Sequence, residues 1–209
     1  MPALVEVNHP LIKHHLSRLR DKHTSPAEFR QVVQRLAVLL AYEATSDLAL
    51  RPLELETPLT RMMGQGLSQR IGLVPILRAG LGMVDPILNL IPTAEVWHLG
   101  LYRDEETALP VEYYSKLPQT EPVDVALVVD PMLATGGSAT AALAALVRWG
   151  VRKLKVLSII ASQVGIESVH QQFPPADIYV CAIDPELNSR KFIVPGLGDA
   201  GDRIFNTLR

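Results

Sequence analysis

The chain has 209 residues, 48% of them hydrophobic and 20% charged, with a formal net charge of −2. These values describe one ordinary globular domain with a full core; they argue against disorder, low complexity and the general attraction to nucleic acid that a basic face provides. Cys181 is the only cysteine, which excludes an intrachain disulfide; no apolar run approaches the ~18 residues that span a bilayer, and Met1–Glu6 has no secretory pattern, so a cytoplasmic protein is expected.

Ser25, Pro26 and Glu28 read as an N-cap, a first-turn proline and a capping-box acid. Phe29, Val32, Val33, Leu36 and Leu40 then recur at helical spacing, which predicts a long amphipathic helix. His14 and His15 fall on an earlier helix as surface groups, and the histidines at 9, 14, 15, 23, 98 and 170 nowhere show metal-ligand spacing, so no protein-held metal is expected. Apolar runs at Ile71–Leu77, Ala94–Leu101, Val123–Val129, Lys155–Ala161 and Ile178–Ile183 alternate with helical stretches near Leu81–Leu90, Thr140–Trp149 and Ile166–Phe173. Such alternation predicts an α/β fold with a mostly parallel, doubly wound sheet. One domain over 1–209 is expected, in which 1–60 and 184–209 contribute a small hood at one edge of the sheet. The polar stretch from Tyr102 to Pro122 joins two buried strands and is expected to be a mobile arm near the site.

Val125–Val129 is an unbroken apolar run, the pattern of a strand covered on both faces, and Asp130 stands at its carboxyl end, where open α/β sheets bind ligands. Ala134, Thr135, Gly136, Gly137 and Ser138 follow, ahead of an alanine-rich helical stretch. Two glycines let backbone N–H groups approach an anion, two hydroxyls add donors, and a helix N-terminus favours negative charge. These features predict a phosphate cradle. It is not an ATPase loop, because Ser138 and Ala139 stand where a Walker sequence needs lysine and a hydroxyl residue. Arg78 follows the strand Ile71–Leu77 and precedes Gly80 and Gly82, which puts it on the same rim. Arg103 occupies the equivalent place after Ala94–Leu101, beside Asp104, Glu105 and Glu106, and taken alone reads as part of a solvated charge run.

Gly196, Gly198 and Gly201 spell G-x-G-x-x-G, but only eight residues follow Gly201, too few for the helix and distant acid of a dinucleotide fingerprint. They read better as a loop whose backbone comes close to a flat ligand. Asp199 and Asp202 are N-cap candidates for a last helical turn, Asp202 the stronger of the two.

Four stretches carry a family resemblance: V-V-D-P-M-L-A-T-G-G-S at 128–138, V-P-I-L-R-A-G-L-G-M at 74–83, G-L-Y-R-D-E-E-T at 100–107 and F-I-V-P-G-L-G-D-A-G-D-R-I-F at 192–205. Through them the chain resembles the uracil phosphoribosyltransferases. The resemblance implies transfer of the 5-phosphoribosyl group of phosphoribosyl diphosphate (PRPP) to N1 of uracil, giving UMP and diphosphate. It implies that Arg78 and Arg103 meet the departing diphosphate. Asp130, Pro131, Met132, Leu133, Ala134, Thr135, Gly136, Gly137, Ser138 and Asp199 join those arginines as PRPP-binding residues, and Ile193, Gly198, Asp199 and Ala200 bind uracil. The implied cofactor is Mg²⁺, carried mainly by PRPP. The implied partners are PRPP and uracil, with no nucleic acid and no membrane, and the apolar N-terminal helix favours a homo-oligomer, a dimer or higher. Activation by GTP, a property of some relatives, stays open. Gln163 and Val164 stand where a Pro-Glu pair is common, Phe192 replaces a usual tyrosine and Pro86 a usual glycine. No side chain stands out as a general base for N1. The rivals are a transferase for another base, which the C-terminal loop opposes, and an RNA-binding regulator of the same fold, which the mild acidity opposes.

Overall fold

The computed structural model describes residues 3–103, 110–115, 117 and 121–207, with the backbone alone at 101–103 and 110–115. In chain order the elements are β1 (Leu4–Glu6), α1 (Pro10–Arg20), α2 (Pro26–Ala44), β2 (Leu50–Glu56), β3 (Arg61–Leu67), β4 (Ile71–Pro75), α3 (Leu81–Leu90), β5 (Glu95–Val96), β6 (Leu99–Arg103) and β7 (Pro110–Ser115). There follow β8 (Val125–Val129), β9 (Met132–Leu133), α4 (Gly137–Trp149), β10 (Lys153–Ser162), α5 (Gln163–Gln172), β11 (Asp177–Asp184), β12 (Glu186–Leu187), β13 (Ile193–Val194) and α6 (Ala200–Phe205).

A seven-stranded sheet runs in the order β1-β11-β10-β8-β4-β5, with β9 also on β10, and all of its pairings are parallel. Its central strands are buried on both faces, as their continuous apolar runs require. Along β10, Leu157 and Ile159 face a cluster closed by α2 and α3, while Leu154 and Val156 face one closed by α4 and α5. The sheet is therefore doubly wound.

Ser25 caps α2 by accepting from the Glu28 N–H at 3.3 Å, Pro26 opens the helix, and Phe29, Val32, Val33, Leu36 and Leu40 are all buried. α1, α2 and α6 lie together, and α2 also covers one face of the sheet. β1 pairs with β11 at the sheet edge; three residues are too short a run to show a period in the sequence. The apolar run Ala94–Leu101 divides: Glu95–Val96 stays in the sheet beside β4, whereas β6, bridged to the end of that strand through Leu99 and Ile76, pairs antiparallel with β7. β2 and β3 form a separate antiparallel hairpin.

A lysine sits in the core. Lys155 of β10 is 0% exposed, and its Nζ donates to the Ala44 carbonyl at 2.5 Å and to Asp47 Oδ1 at 2.6 Å. Lys153 Nζ lies 2.8 Å from the other Asp47 oxygen. Burial alone would push the Asp47 carboxyl up, but hydrogen bonds from Lys153 and Lys155 outweigh it and hold the group below its ordinary value. The cluster pins the end of α2 to the sheet. Asp47→Ala, which strands a buried ammonium, should lower the unfolding free energy by about 1–3 kcal/mol in urea titrations near neutral pH. Because this carboxyl is more acidic folded than unfolded, its contribution is complete above pH ~4 and is lost as pH falls through the folded value, so the variant and the parent should converge in acid.

Candidate active site

Strand order reverses between β4 and β8: β4 leads through α3 outward to β5, and β8 leads through α4 to β10 and β11 on the other side. Loops that leave neighbouring strands in opposite directions open a crevice at the carboxyl ends, and Asp130 emerges there from β8. Its Oδ1 accepts from the Met132 N–H at 3.5 Å, a long bond. Burial, opposed by that N–H and reinforced by the charge of Asp199, pushes the Asp130 carboxyl up to about 7.

The following loop is tied down from below. The Ile159 and Ile160 N–H groups both donate to the Pro131 carbonyl at 3.1 Å, and Ser162 Oγ donates to that of Ala134. Gly136 has φ 83°, and a Cβ there would lie 2.9 Å from the Gly165 carbonyl, so both the backbone and the approach of α5 demand glycine. Gly136 is also the N-cap of α4 and offers no side chain to the first-turn N–H groups. A cavity of about 160 Å³ opens at this helix start, lined by Asp130, Thr135, Gly137, Ser138 and, from the floor, Ser158.

The facing rim comes from β4. The Leu77–Arg78 peptide is cis. Gly80 is pressed so closely on β8 that a Cβ would meet the Val129 carbonyl at 2.5 Å. Arg78 is largely exposed at 61%, with Nη2 3.3 Å from Asp202 Oδ1. A Cβ on Gly201 would stand 3.3 Å from Asp199 Oδ1 and 3.7 Å from Arg78 Nη2, which brings Arg78, Asp199 and the start of α6 into one cluster. The backbone of Arg103 ends β6 opposite Pro110. Its side chain, and the rest of the 102–122 arm apart from the strand backbone, Leu117 and 121–122, lie outside the described residues.

Ile193, Gly198, Asp199 and Ala200 belong to the C-terminal segment, which is braced by residues that sequence reasoning did not single out. Arg20 donates through Nη1 and Nη2 to Asp184 Oδ2 and Oδ1 at 2.7 Å each, and through Nη1 to the Gly196 carbonyl at 2.8 Å. The Gly196 N–H donates to Asp184 Oδ2 at 3.0 Å. Arg203 donates to the carbonyls of Leu19, Leu197 and Asp21 at 2.7 Å each and lies 4.2 Å over the Phe29 ring. Asp184 ends an apolar strand as Asp130 does, which is a usable signal; Arg20 and Arg203 carry none. The N-cap expectation is corrected. α6 starts at Ala200, so Asp199 is the cap and accepts from the Asp202 N–H at 2.9 Å, while Asp202 falls in the first turn and engages Arg78 and Thr207. Among the described residues, no three His, Cys, Asp or Glu side chains converge on a point that could hold a metal.

Solved structures share this architecture. Adenine phosphoribosyltransferase from Trypanosoma brucei aligns with a TM-score of 0.56 at 11% identity, over 86% of this chain and 82% of that one, a likeness of fold alone. Protein AQ2163 from Aquifex aeolicus aligns with a TM-score of 0.92 at 37% identity over 97% of each chain. Sheet order, carboxylate and glycine loop together define a phosphoribosyltransferase fold. The family model for uracil phosphoribosyltransferase matches residues 6–207. Relatives named uracil phosphoribosyltransferase are 56% identical over 207 residues in Roseiflexus sp. strain RS-1 and 52% over 208 residues in Anoxybacillus flavithermus, each match covering 99% of this chain and 100% of the relative. The chain belongs to the uracil phosphoribosyltransferase family.

The Asp130 carboxyl is less acidic folded than unfolded, so the ligand-free protein loses stability as pH rises from about 4 toward 7. Asp130→Asn removes that charge. Relative to the parent, the ligand-free variant should gain about 2 kcal/mol more at pH 8 than at pH 5, read from denaturant titrations at the two values.

Proposed function

We propose that this enzyme joins PRPP and uracil in the crevice between β4 and β8, releasing UMP and diphosphate in pyrimidine salvage, with the cytoplasm as the expected setting for its phosphorylated substrate. The observation that carries the reading is the cradle at 130–138 facing Arg78 and Asp199 across that crevice. Loop 134–138 anchors the 5-phosphate through its N–H groups and hydroxyls, and Asp130 accepts from the ribose hydroxyls. Substitution at C1 of the ribosyl group passes through an oxocarbenium-like state while negative charge grows on the leaving diphosphate. Arg78, with Arg103 from the neighbouring hairpin, meets that charge, and Arg78 exchanges its contact with Asp202 to do so. Asp199 faces the ribosyl side. The backbone of Ile193, Gly198 and Ala200 reads the base, in keeping with the first N–H groups of a helix having no intrahelical acceptor.

Asp130 and Asp199 repel one another and offer hard oxygen donors, a set that suits Mg²⁺ held mainly by substrate phosphates. Bound with PRPP, the ion would be met by these two carboxylates and would neutralise charge on the departing diphosphate.

The decisive assay mixes protein, PRPP and Mg²⁺ with each free base and measures nucleotide formed. UMP is the expected product, with cytosine poorer by roughly 10², since it sets donor against donor at rigid backbone groups. Ala200→Pro sharpens the test. Asp199 is already extended at φ −83°, ψ 114°, as a residue before proline must be, and proline is accepted at the first helical position. The variant loses one N–H aimed at the base. Its KM for uracil should rise about tenfold while PRPP affinity holds; unchanged kinetics in a folded variant would remove Ala200 from the base site.

The homo-oligomer is part of the same reading, with a second copy of this chain as the partner. Leu50, Leu53, Leu59, Met62 and Met63 stand exposed on the two faces and the turn of the β2–β3 hairpin, apolar side chains with little cover from their own chain. Sedimentation should give a species of at least two 23.0 kDa chains. Met63→Glu should shift it toward the monomer.

A further inference from the structure

Ser158 lies in β10 where that strand changes neighbour. Leu157 is in register with Val129 of β8 and Ile160 with Met132 of β9. Between them the Asp130 N–H donates to the Leu157 carbonyl at 3.2 Å and the Ile159 N–H to the Pro131 carbonyl at 3.1 Å. Ser158 therefore stands opposite Asp130. Side chains in register on parallel strands point to the same face, and the pair two residues earlier, Val128 and Val156, both face the layer under α4. Asp130 and Ser158 accordingly share that face at the carboxyl edge of the sheet, and both line the cavity at the start of α4.

The Ser158 side chain is 0% exposed, and its Oγ has no hydrogen-bond partner among the described residues. The other buried Ser and Thr hydroxyls among the described residues are satisfied: Ser162 Oγ donates to the Ala134 carbonyl, Thr140 Oγ1 to that of Gly137 and Thr24 Oγ1 to that of Arg18. A buried hydroxyl without a partner is unfavourable and uncommon, and this one faces a polar cavity rather than packed carbon. A partner that arrives with a ligand accounts for it. A hydroxyl also fits chemically beside Asp130, because it can donate to a ligand oxygen without adding a second negative charge.

We infer that Ser158 is a further phosphoribosyl-binding residue, whose hydroxyl hydrogen-bonds an oxygen of the ribose 5-phosphate unit seated between Asp130 and loop 134–138. The inference rests on the reading of that loop as the phosphoribosyl cradle. Its rival is a structural water held between Ser158 and Asp130, which would make the hydroxyl matter for stability and not for affinity.

Ribose 5-phosphate, titrated calorimetrically into the full chain, is the probe. Ser158→Ala should bind it about tenfold more weakly and raise the KM for PRPP by a similar factor, with kcat and the KM for uracil within about twofold. Ser158→Thr, which keeps the hydroxyl, should stay within about threefold of the parent. The ligand-free Ala variant should melt no lower than the parent, since it loses only an unpartnered group. Should Ser158→Ala fail to fold, Ser158→Cys takes its place, with nearly the same shape and only a weak donor. Parent-like affinity for ribose 5-phosphate in the Ala or Cys variant overturns the role of Ser158 and leaves the cradle standing. A parent that binds no ribose 5-phosphate and forms no UMP overturns the cradle and this inference together.

Discussion

The turn after β4 runs so close to the end of β8 that a Cβ on Gly80 would lie 2.5 Å from the Val129 carbonyl and 2.7 Å from that of Ile76. Two loops from neighbouring parallel strands meet there because nothing but backbone separates them. The contact carries Arg78 to the rim of the crevice into which Asp130 emerges, and the opposite winding of the two crossovers keeps that crevice open. A larger residue at position 80 would force backbone against backbone and part the two halves of the site.

Within the crevice the charges are arranged for something that is itself strongly charged. Asp130 is pushed up to about 7 by burial and by Asp199, whereas Arg78 is exposed and, among the described residues, is engaged by Asp202 alone at 3.3 Å. On the reading proposed above, a phosphorylated sugar carrying a cation would relieve both conditions: the cation would meet the carboxylates, and the phosphates the arginine and the loop N–H groups. The net charge of −2 takes no part in this. In the proposed reading recognition is local, built from a helix N-terminus, two glycines and a few side chains.

The C-terminal segment, proposed above to read the base, depends on a different device. Asp184 takes both Nη groups of Arg20 and the N–H of Gly196, and Arg203 binds three carbonyls at 2.7 Å, two of them at the end of α1. Ile193 and Val194 pair with β12, but the chain from Pro195 to Asp199 runs outside the named strands and has no ladder to hold it. Its rigidity therefore comes from arginine side chains reaching in from behind. Through them α1, far away in sequence, becomes part of the site.

Local periodicity and turn chemistry determined a good deal of this protein without any coordinates. The α2 cap at Ser25, the buried runs of β4, β8, β10 and β11, and the glycine turn into α4 are each dictated by residues within a few positions of one another, so they are legible in the sequence. The motif at 128–138 was legible for the same reason, because strand end, carboxylate and helix start are contiguous. Tertiary structure decided what depends on partners remote in the chain: β1 joining β11, the division of Ala94–Leu101 between the sheet and a hairpin, the Arg20–Asp184 brace, the capping of α6 by Asp199, and Ser158 beside Asp130, without a hydrogen-bond partner among the described residues. Nothing near Ser158 in sequence marks it. Its meaning comes from the register of β10 against β8, a contact between segments 28 residues apart that only the folded sheet brings together.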